Sequence, residues 1–412
     1  DHEERGGYAG RLSELLTKRG WEVVNVSRGG DNTIKIAPRF EADLLPQKAR
    51  QVVIGLSLAN EGIAKQEGTE YRDGIYDQWR TGMLALIERC RNAGMQVVVG
   101  NCYAKDVFTA DPQLYEYTRQ MNVEISRWDV PSINFLGAID DGTGAWVDGF
   151  FADGGHPNGA GHNEMFLAIV PSLFEALEAG KPLPVKARES HFAHVRGGES
   201  VTAALVFEPQ DTIHSFAVSF WVRPESSGIL ATVSGKEAAV HTEEGETGGR
   251  AYRANRIEPG DSAIEGAIAH RNGTIVYSGG GATIDAAVTD NADWHHVVLS
   301  HWCARGVTQL YVDGTLAGEI SERLIPEAFY LGGGAAPGTV AAADVKEWAV
   351  YRSSLNPDSV RFLYEGHLYQ SSLEVYAPLA DASFEHATLV ENRAQSMAEV
   401  RAAADGLTSK AE

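Results

Sequence analysis

Two short apolar runs decide the fold class: residues 52–56 read VVIGL, and residues 95–100 read MQVVVG. A helical pattern over 71–93 lies between them and ends at Gly94, and a second helical pattern covers 112–128. Strands that are apolar on both faces belong to parallel sheets whose two faces are covered by helices. The sequence therefore predicts an α/β region built on a parallel sheet.

The rest of the first region fits the same alternation of helices and strands. Helical patterns are expected at 8–19, 40–47 and 159–177, and strands at 21–26 and 132–135.

A change of pattern marks a domain boundary. Residues 178–187 read EAGKPLPVKA, and the two prolines with the loss of helical periodicity indicate a linker. We predict a first domain over 1–178, a linker over 179–187, a second domain over 188–378, and a C-terminal tail over 379–412 with a terminal strand and a surface helix.

The second domain has the alternating pattern of an antiparallel β-sandwich. Short strands are predicted at 216–222, 294–300, 308–312 and 345–351. Asp313-Gly314 stands between two of these runs, and this dipeptide strongly favours a hairpin turn. The whole chain is thus predicted to be α/β plus all-β.

The charge of the chain limits its partners. It contains 35 basic and 56 acidic residues, which gives a formal net charge of −21. A nucleic acid or an anionic membrane surface would be repelled, whereas neutral sugars and esters remain suitable ligands. No apolar run is long enough to span a bilayer. The three cysteines show no zinc-type spacing and are expected to be buried thiols.

Polar residues follow the strands of the predicted sheet. Gly29-Gly30-Asp31 follows the run at 21–26, and Asn60 follows the run at 52–56. A glycine lets its N–H approach a ligand closely, and an Asn amide is a second donor, so the pair could hold an oxyanion. Each signal alone is weak, because both segments also suit ordinary turns.

The segment Asp153-Gly154-Gly155-His156-Pro157 is more informative. His156 has the chemistry of a general base, and Asp153 could accept from its other ring nitrogen and fix the tautomer. The alternative is a surface loop rich in turn residues.

Together, the Gly block, the Asn block and the Asp-x-x-His-Pro block resemble the SGNH (GDSL-like) hydrolases over roughly residues 1–178. The resemblance implies a flavodoxin-like doubly wound sheet, His156 as base and Asp153 as its orienter. It also implies that Gly30, through its N–H, and Asn60, through its amide, line the oxyanion hole. No metal or organic cofactor is implied.

The chain departs from the family pattern in three places. Glu61 stands where the family usually has Asp, and Ala59 where it usually has Gly. No Gly-Asp-Ser nucleophile motif precedes the helix predicted at 8–19. We therefore expect that the serine lies upstream of Asp1, that the first strand is missing, and that this fragment is inactive. Ser27 and Ser57 are better explained as sheet residues.

Other residues have competing interpretations. Trp146 is a candidate substrate-facing aromatic, or a packed loop residue. His162 suggests a metal ligand, but a place in the first turn of the last helix fits better. His295 and His296 should point to opposite faces of a strand, so they cannot easily share a metal.

The stretches FAVSFWV (216–222), DWHHVV (293–298), QLYVDG (309–314) and VKEWAVY (345–351) resemble the laminin-G, concanavalin A-like sandwiches. Such domains often bind glycans, sometimes with calcium, although no acidic cluster places an ion here. A structural spacer is nearly as good an interpretation.

These observations lead to one main functional hypothesis and two alternatives. The main one is an exported (extracellular or periplasmic) carbohydrate esterase or deacetylase whose partner is an acylated glycan. The alternatives are a lipase or acylhydrolase on small esters, and a non-catalytic glycan-binding protein with a degenerate hydrolase domain.

Overall fold

The computed structural model describes residues 6–188, 190–247, 250–288, 292–384, 387–403 and 406–411. The α-helices in these ranges are α1 (Gly7–Lys18), α2 (Thr33–Ile36), α3 (Leu58–Glu61), α4 (Thr69–Asn92), α5 (Pro112–Ile125), α6 (Leu136–Ile139), α7 (Gly159–Leu167), α8 (Leu173–Glu178) and α9 (Pro357–Tyr364). Shorter turns are a π-helical turn at Phe40–Leu44 and 3₁₀ turns at Leu45–Gln47, Asp106–Ala110 and Ala382–Phe384.

The strands of the first part are β1 (Gln51–Gly55), β2 (Gln96–Gly100), β3 (Ser132–Ile133), β4 (Phe151–Asp153) and β5 (His156–Pro157). Those of the second part are β6 (His191–Val195), β7 (Gly198–Val201), β8 (Leu205–Phe207), β9 (Phe216–Pro224), β10 (Gly228–Thr247), β11 (Arg250–His270), β12 (Thr274–Gly279), β13 (Ala282–Ala287), β14 (His295–Trp302), β15 (Val307–Val312), β16 (Thr315–Ser321), β17 (Leu324–Leu331), β18 (Gly338–Val340), β19 (Ala343–Tyr351), β20 (Leu373–Ala377), β21 (Leu389–Val390), β22 (Val400–Ala402) and β23 (Leu407–Ala411).

The chain divides into two compact units. The first comprises Asp1–Ile169 together with His241–Arg256, and the second comprises Val170–Val240 with Ile257–Glu412. Residues of the β10 and β11 strands therefore group with the α/β part, which sequence periodicity does not reveal.

The predicted parallel sheet is confirmed. β1 runs parallel to β2 from Gln51↔Gln96 to Gly55↔Gly100, and β2 runs parallel to β3. Helix α4 packs here through Trp79, which is fully buried and donates its indole N–H to the Leu56 carbonyl oxygen at 3.3 Å. Trp79 also stacks on Trp128, with ring centroids 5.3 Å apart, so both act as core residues.

The strand expected at 21–26 is not formed. Residues 21–28 have no regular secondary structure, and Val24 is 51% exposed. A β-branched run becomes a strand only when a neighbouring strand supplies ladder hydrogen bonds. Among the described residues no strand pairs with this segment, so it stays irregular despite its high β propensity.

The single helix expected over 159–177 is two helices, α7 and α8, separated by residues 168–172. Pro171 explains the break, because a proline inside a helix lacks the N–H for an intrahelical hydrogen bond and clashes with the preceding turn.

The second part forms the predicted antiparallel β-sandwich. One sheet has the strand order β13-β12-β11-β10-β17-β8-β22-β21, and the other has β16-β15-β14-β9-β19-β6-β23. Their inner faces share one apolar core, which includes Phe216, Phe220, Leu299 and Trp348. The predicted turn at Asp313-Gly314 joins β15 to β16, and both residues have positive φ (51° and 75°), as a tight hairpin requires.

Where the structure describes it, the end of the chain forms the expected terminal strand, β23, but not the expected surface helix. The described residues beyond 378 contain no α-helix. Instead, β22 pairs with β8 of one sheet, and β23 pairs with β6 of the other. Alternating residues such as Leu407-Thr408-Ser409 suit a strand at a sheet edge, and the Ala- and Glu-rich composition concealed this pattern.

Candidate functional site

The Asp153–His156 loop is a tight connection between β4 and β5. Asp153 Oδ1 lies 2.8 Å from His156 Nδ1, and it also accepts from the Gly155 N–H at 2.8 Å. The side chains are 42% and 58% exposed, respectively, so the pair can reach a ligand in solution. An ionised carboxylate only accepts hydrogen bonds, so the proton lies on Nδ1. Nε2 then carries the lone pair that a general base needs.

This loop is supported from beneath by neighbouring loop residues. The Gly154 carbonyl oxygen accepts from the Asp106 N–H at 2.9 Å and from the Trp146 indole N–H at 3.2 Å. Trp146 is only 3% exposed, and its ring lies 5.6 Å from that of Tyr103. The structure therefore places Trp146 as packing beneath the loop. Its candidate role as a substrate-facing aromatic remains a prediction that this burial does not favour.

Helix α7 begins immediately after His156-Pro157. Asn158 caps it by accepting from the Gly161 N–H at 3.0 Å. His162 lies in the first turn, as expected, and its Nδ1 accepts from the Tyr8 N–H at 3.2 Å. The cap fixes where the helix starts and thereby where the chain leaves His156.

The oxyanion-hole candidate Gly30 lies in an exposed turn before α2. Its φ is +74°, a left-handed conformation that glycine adopts without strain. Its carbonyl oxygen accepts from Lys35 Nζ at 3.0 Å, while its N–H donates to no group in the described part of the chain. The N–H is therefore free to bind an anion.

Asn60 lies on α3, which follows β1 after a short connection. Asn32 Nδ2 donates to the Asn60 carbonyl oxygen at 3.3 Å, so the segments with Gly30 and Asn60 are neighbours. The side-chain amide of Asn60 makes no hydrogen bond with any residue that the structure describes. It is thus a second donor without a partner among the described residues, on a helix whose Asn60 carbonyl oxygen bonds the segment after the Gly30 turn.

Glu61 has a structural role that the sequence did not reveal. It is buried and accepts from the Thr33 N–H at 2.6 Å, the Thr33 hydroxyl at 3.1 Å and Gln78 Nε2 at 2.8 Å. The carboxylate thereby joins the start of α2 to the end of α3 and to α4. An N-cap Asn32 followed by Thr33 was the available signal, since the N-terminal turn of a helix offers donors to an anion.

The structure therefore brings Asp153 to His156, and it brings the Gly30 segment to the Asn60 segment. No hydrogen bond among the described residues connects the two pairs. Their assigned roles in one site remain predictions.

A Gly-Asp-Ser triplet does occur in the chain, at Gly260-Asp261-Ser262. It lies within strand β11 of the sandwich, away from the position that the family pattern requires. A Cβ on Gly260 would lie 2.7 Å from the Glu237 carbonyl oxygen, so glycine is needed there for strand packing. Ser262 is exposed but stands on no sharp strand-to-helix turn, where hydrolase nucleophiles are held.

One cluster in the sandwich has ligand-type atoms close together. His194, Glu225 and Asp344 place one such atom each within 4.8 Å of the others. However, Arg223 and Lys410 donate to Asp344 at 2.7 and 2.9 Å, and Lys410 also bonds Glu225 at 2.8 Å. These cations lower the pKa of Asp344 and balance its charge. The cluster is best described as a salt-bridge network.

The remaining sequence candidates have structural explanations. His295 Nδ1 bonds Asp313 at 2.8 Å and His296 Nε2 bonds Ser219 at 2.9 Å, which agrees with opposite faces of β14. The three cysteines are buried thiols, and burial raises the pKa of Cys90 to about 11 and that of Cys102 to about 12.

Comparison with known families follows the same division of the chain. Residues 1–163 match the GDSL-like lipase/acylhydrolase family. Residues 197–361 match the concanavalin A-like lectin/glucanases superfamily. Both resemblances noted from the sequence are thereby confirmed. Gly30, Asn60, Asp153 and His156 all lie within residues 1–163, called the GDSL-like region below.

Solved structures resemble the chain only distantly. A protein from Bacteroides ovatus, for which carbohydrate binding is predicted, is 14% identical, with 55% of this chain and 60% of that chain covered and a TM-score of 0.38. The chain thus spans less than two thirds of that protein. An acetylxylan esterase from Geobacillus stearothermophilus is 18% identical (39% and 77% covered, TM-score 0.32). A heptameric pentraxin from Limulus polyphemus is 11% identical (44% and 86%, TM-score 0.31).

No curated protein matches the chain. None of the described helices has the length and apolarity needed to cross a membrane.

Proposed function

We propose that the GDSL-like region is a serine ester hydrolase that removes acyl groups from a glycan, with His156 as general base and Asp153 as its orienting carboxylate. The observation that supports this most directly is the 2.8 Å hydrogen bond between Asp153 Oδ1 and His156 Nδ1 in an exposed loop. This bond sets the tautomer in which Nε2 can take a proton.

The proposed reaction is an acyl transfer in two steps. A serine hydroxyl attacks the ester carbonyl, and its proton moves to His156 Nε2. The Gly30 N–H and the Asn60 amide donate to the oxyanion, which then collapses, and His156 returns the proton to the departing alcohol. Water, deprotonated by His156, hydrolyses the acyl-enzyme. The proposal assigns no step to a metal or an organic cofactor.

The proposed reaction requires a serine nucleophile. Residues 1–163 contain no Gly-Asp-Ser motif. Ser27 donates its hydroxyl hydrogen to Asn25 at 2.5 Å and Ser57 is buried, so neither is poised next to a histidine base.

The lectin-like region motivates the choice of a glycan ester. Tethering a sugar-binding module to a hydrolase raises the local concentration of substrate. The net charge of −21 disfavours anionic polymers and suits a neutral acylated polysaccharide. An extracellular or periplasmic location follows from the same proposal, because polysaccharides of this kind lie outside the cytoplasm.

The test is hydrolysis of an acetylated polysaccharide, p-nitrophenyl acetate and p-nitrophenyl palmitate by the protein expressed from its complete gene. His156→Ala should lower kcat/KM at least about 10³-fold, because a triad without its base retains only oxyanion-hole catalysis. His191→Ala is the matched control, since this half-buried histidine lies in β6 of the sandwich, where its ring bonds the Ser190 hydroxyl at 2.9 Å.

The outcomes separate the alternatives. Release of acetate from the polysaccharide supports the glycan esterase, and preference for the palmitate ester supports a lipase. Absence of hydrolysis together with binding of the protein to polysaccharide would favour the non-catalytic glycan-binding protein. Loss of activity in Ser262→Ala but not in His156→Ala would overturn the site proposed here.

A further inference from the structure

The stretch His241–Arg256 groups with the GDSL-like region, although strand β10 of the sandwich ends within it and strand β11 begins within it. We propose that this segment, called the arm below, is a positioning element for the His156 loop. The proposal rests on the function proposed above, and it assigns the arm a role in holding residues 148–158.

Backbone hydrogen bonds form the first part of the attachment. The Asn255 N–H donates to the Gly149 carbonyl oxygen at 2.8 Å. Asn158 Nδ2 donates to the same oxygen at 2.9 Å and to the Arg253 carbonyl oxygen at 3.2 Å. Asn158 stands two residues after His156, so one side chain joins the arm, the 148–149 segment and the base-bearing loop.

Side chains of the arm extend the attachment. Asn255 Nδ2 donates to the Asp148 carbonyl oxygen at 2.9 Å, and Arg253 forms an ion pair with the Asp148 carboxylate. Thr242 donates its hydroxyl hydrogen to Asn255 Oδ1 at 2.8 Å and thereby orients the amide. The arm thus contacts residues 148 and 149 through both backbone and side-chain groups.

The contact with Asn255 requires a glycine at position 149. Its φ is +83°, and a Cβ at this position would lie 2.2 Å from Asn255 Nδ2. The glycine therefore meets two needs at once, a left-handed backbone and the close approach of the Asn255 amide. A surface loop with no partner would require only the first.

The energetics favour a role in positioning. The Arg253 and Asp148 side chains are largely exposed, and exposed ion pairs contribute little to stability. Each hydrogen bond of this kind is weak beside the folding free energy, but a few together change how often a loop opens. Misplacement of a catalytic group by about 1 Å can lower a rate about 10²-fold.

The most selective variant is Asn158→Ser. The serine hydroxyl can still cap α7 at the Gly161 N–H, but it is too short to donate to Gly149 and Arg253. Asn255→Ala removes the arm's amide and leaves Asn158 intact. Glu237→Ala is the matched control, because it changes an exposed polar residue of β10 outside the arm.

Hydrogen–deuterium exchange of the chain Asp1–Glu412 gives a readout that does not depend on activity. We expect exchange over residues 147–158 to rise about 3- to 10-fold in Asn158→Ser and in Asn255→Ala, with no change in Glu237→Ala. Unchanged exchange in both arm variants would overturn the proposal, whether or not the protein hydrolyses esters.

Kinetics of the protein expressed from its complete gene then test positioning. Arg253→Glu and Asp148→Arg should each lower kcat about 3- to 10-fold with little change in KM, and the double charge swap should restore kcat to within about twofold. If kcat fell equally in the two single variants and in the double variant, an interaction between Arg253 and Asp148 would be contradicted. If wild type shows no hydrolysis while the exchange effects remain, the function proposed above fails and the arm's hold on the loop stands.

Discussion

His156 and His301 show how differently the two regions use the same side chain. His156 is 58% exposed and bonds a carboxylate in a loop beyond the parallel sheet. His301 is fully buried in the sandwich, where its Nδ1 donates to Thr308 Oγ1 at 2.8 Å and its Nε2 accepts from the Leu324 N–H at 3.2 Å. The first is open to solvent, whereas the second is held neutral as part of the core.

The difference follows from the two sheet types. Every strand of a parallel sheet ends at the same edge, so loops with polar residues collect there and stay open to solvent. The sandwich packs two sheets face to face, so its inner polar groups must bond one another. For example, the Thr308 hydroxyl donates a hydrogen bond to the Glu322 carboxylate at 2.6 Å, and the Tyr277 hydroxyl donates to the same carboxylate at 2.7 Å.

The largest expected effect tests the exposed pair. Asp153→Asn should lower kcat about 10²- to 10⁴-fold in the protein expressed from its complete gene, because the amide can donate to Nδ1 and favours the wrong tautomer of His156. Ester hydrolysis measures the loss, and Asp129→Asn, an exposed carboxyl outside this loop, is the control. Full activity of Asp153→Asn would place the base elsewhere.

The next effect concerns the free donor on α3. Asn60→Ala should lower kcat about 10²- to 10³-fold while KM changes little, since an oxyanion-hole donor acts in the transition state. The neighbouring Ala59→Gly serves as the control on the same helix. A change confined to KM would instead make Asn60 a substrate-binding residue.

The sandwich should lose stability in acid because of its buried histidines. Burial lowers the pKa of His301 to about 3, with nearby His214 and Arg323 acting in the same direction. In the unfolded chain the His301 imidazole is protonated below about pH 6.5, whereas in the folded protein it stays neutral. The free energy of unfolding therefore falls as pH drops below 6.5, by about 1.4 kcal/mol per pH unit.

Hydrogen exchange of sandwich peptides between pH 6.5 and 5 measures this slope. In His301→Leu the protein should be less stable overall, because Thr308 and the Leu324 N–H lose their partner, yet its slope should be shallower. An unchanged slope would assign the acid sensitivity to other groups such as His296, whose pKa burial also lowers to about 3.

The smallest effect has the opposite sign and lies in the GDSL-like region. Burial raises the pKa of Asp140 to about 6, even though Tyr115 and the Gly144 N–H donate to it. The folded state then holds a proton that the unfolded state loses near pH 4. This contribution is fully present below about pH 4 and is lost as pH rises through 6.

Asp140→Asn should remove that dependence. The difference in unfolding free energy between wild type and variant should therefore change by roughly 1.4 kcal/mol per pH unit between pH 4.5 and 5.5. Exchange of peptides covering 136–147 is the measurement. A difference that does not vary with pH would mean that Asp140 is already ionised in the folded state.

Local patterns in the sequence predicted much of the fold. The continuous apolar runs at 52–56 and 95–100 formed β1 and β2, and Asp313-Gly314 formed its hairpin turn. The run at 21–26 failed because strand formation depends on a partner, which local sequence does not specify. Pro171 divided the predicted last helix, because a proline disrupts a helix even where the apolar periodicity continues.

The predicted site divides in the same way. Asp153 and His156 are three residues apart, so sequence alone could propose their hydrogen bond. Gly30 and Asn60 are 30 residues apart in the chain, and only their order suggested that they meet. The roles of Glu61 and Trp146 could not be read, because burial and partners distant in the chain determine them.

The two regions, their sheet types and the hydrogen bond between Asp153 and His156 could be predicted from the amino-acid sequence. These features depend on apolar periodicity and on residues close in the chain, which follow from local geometry. In contrast, the grouping of residues His241–Arg256 with the GDSL-like region, and their hydrogen bonds with Gly149 and Asn158, are visible in the three-dimensional structure alone. Contacts between segments nearly 100 residues apart arise from the packing of whole elements, and no local pattern encodes them.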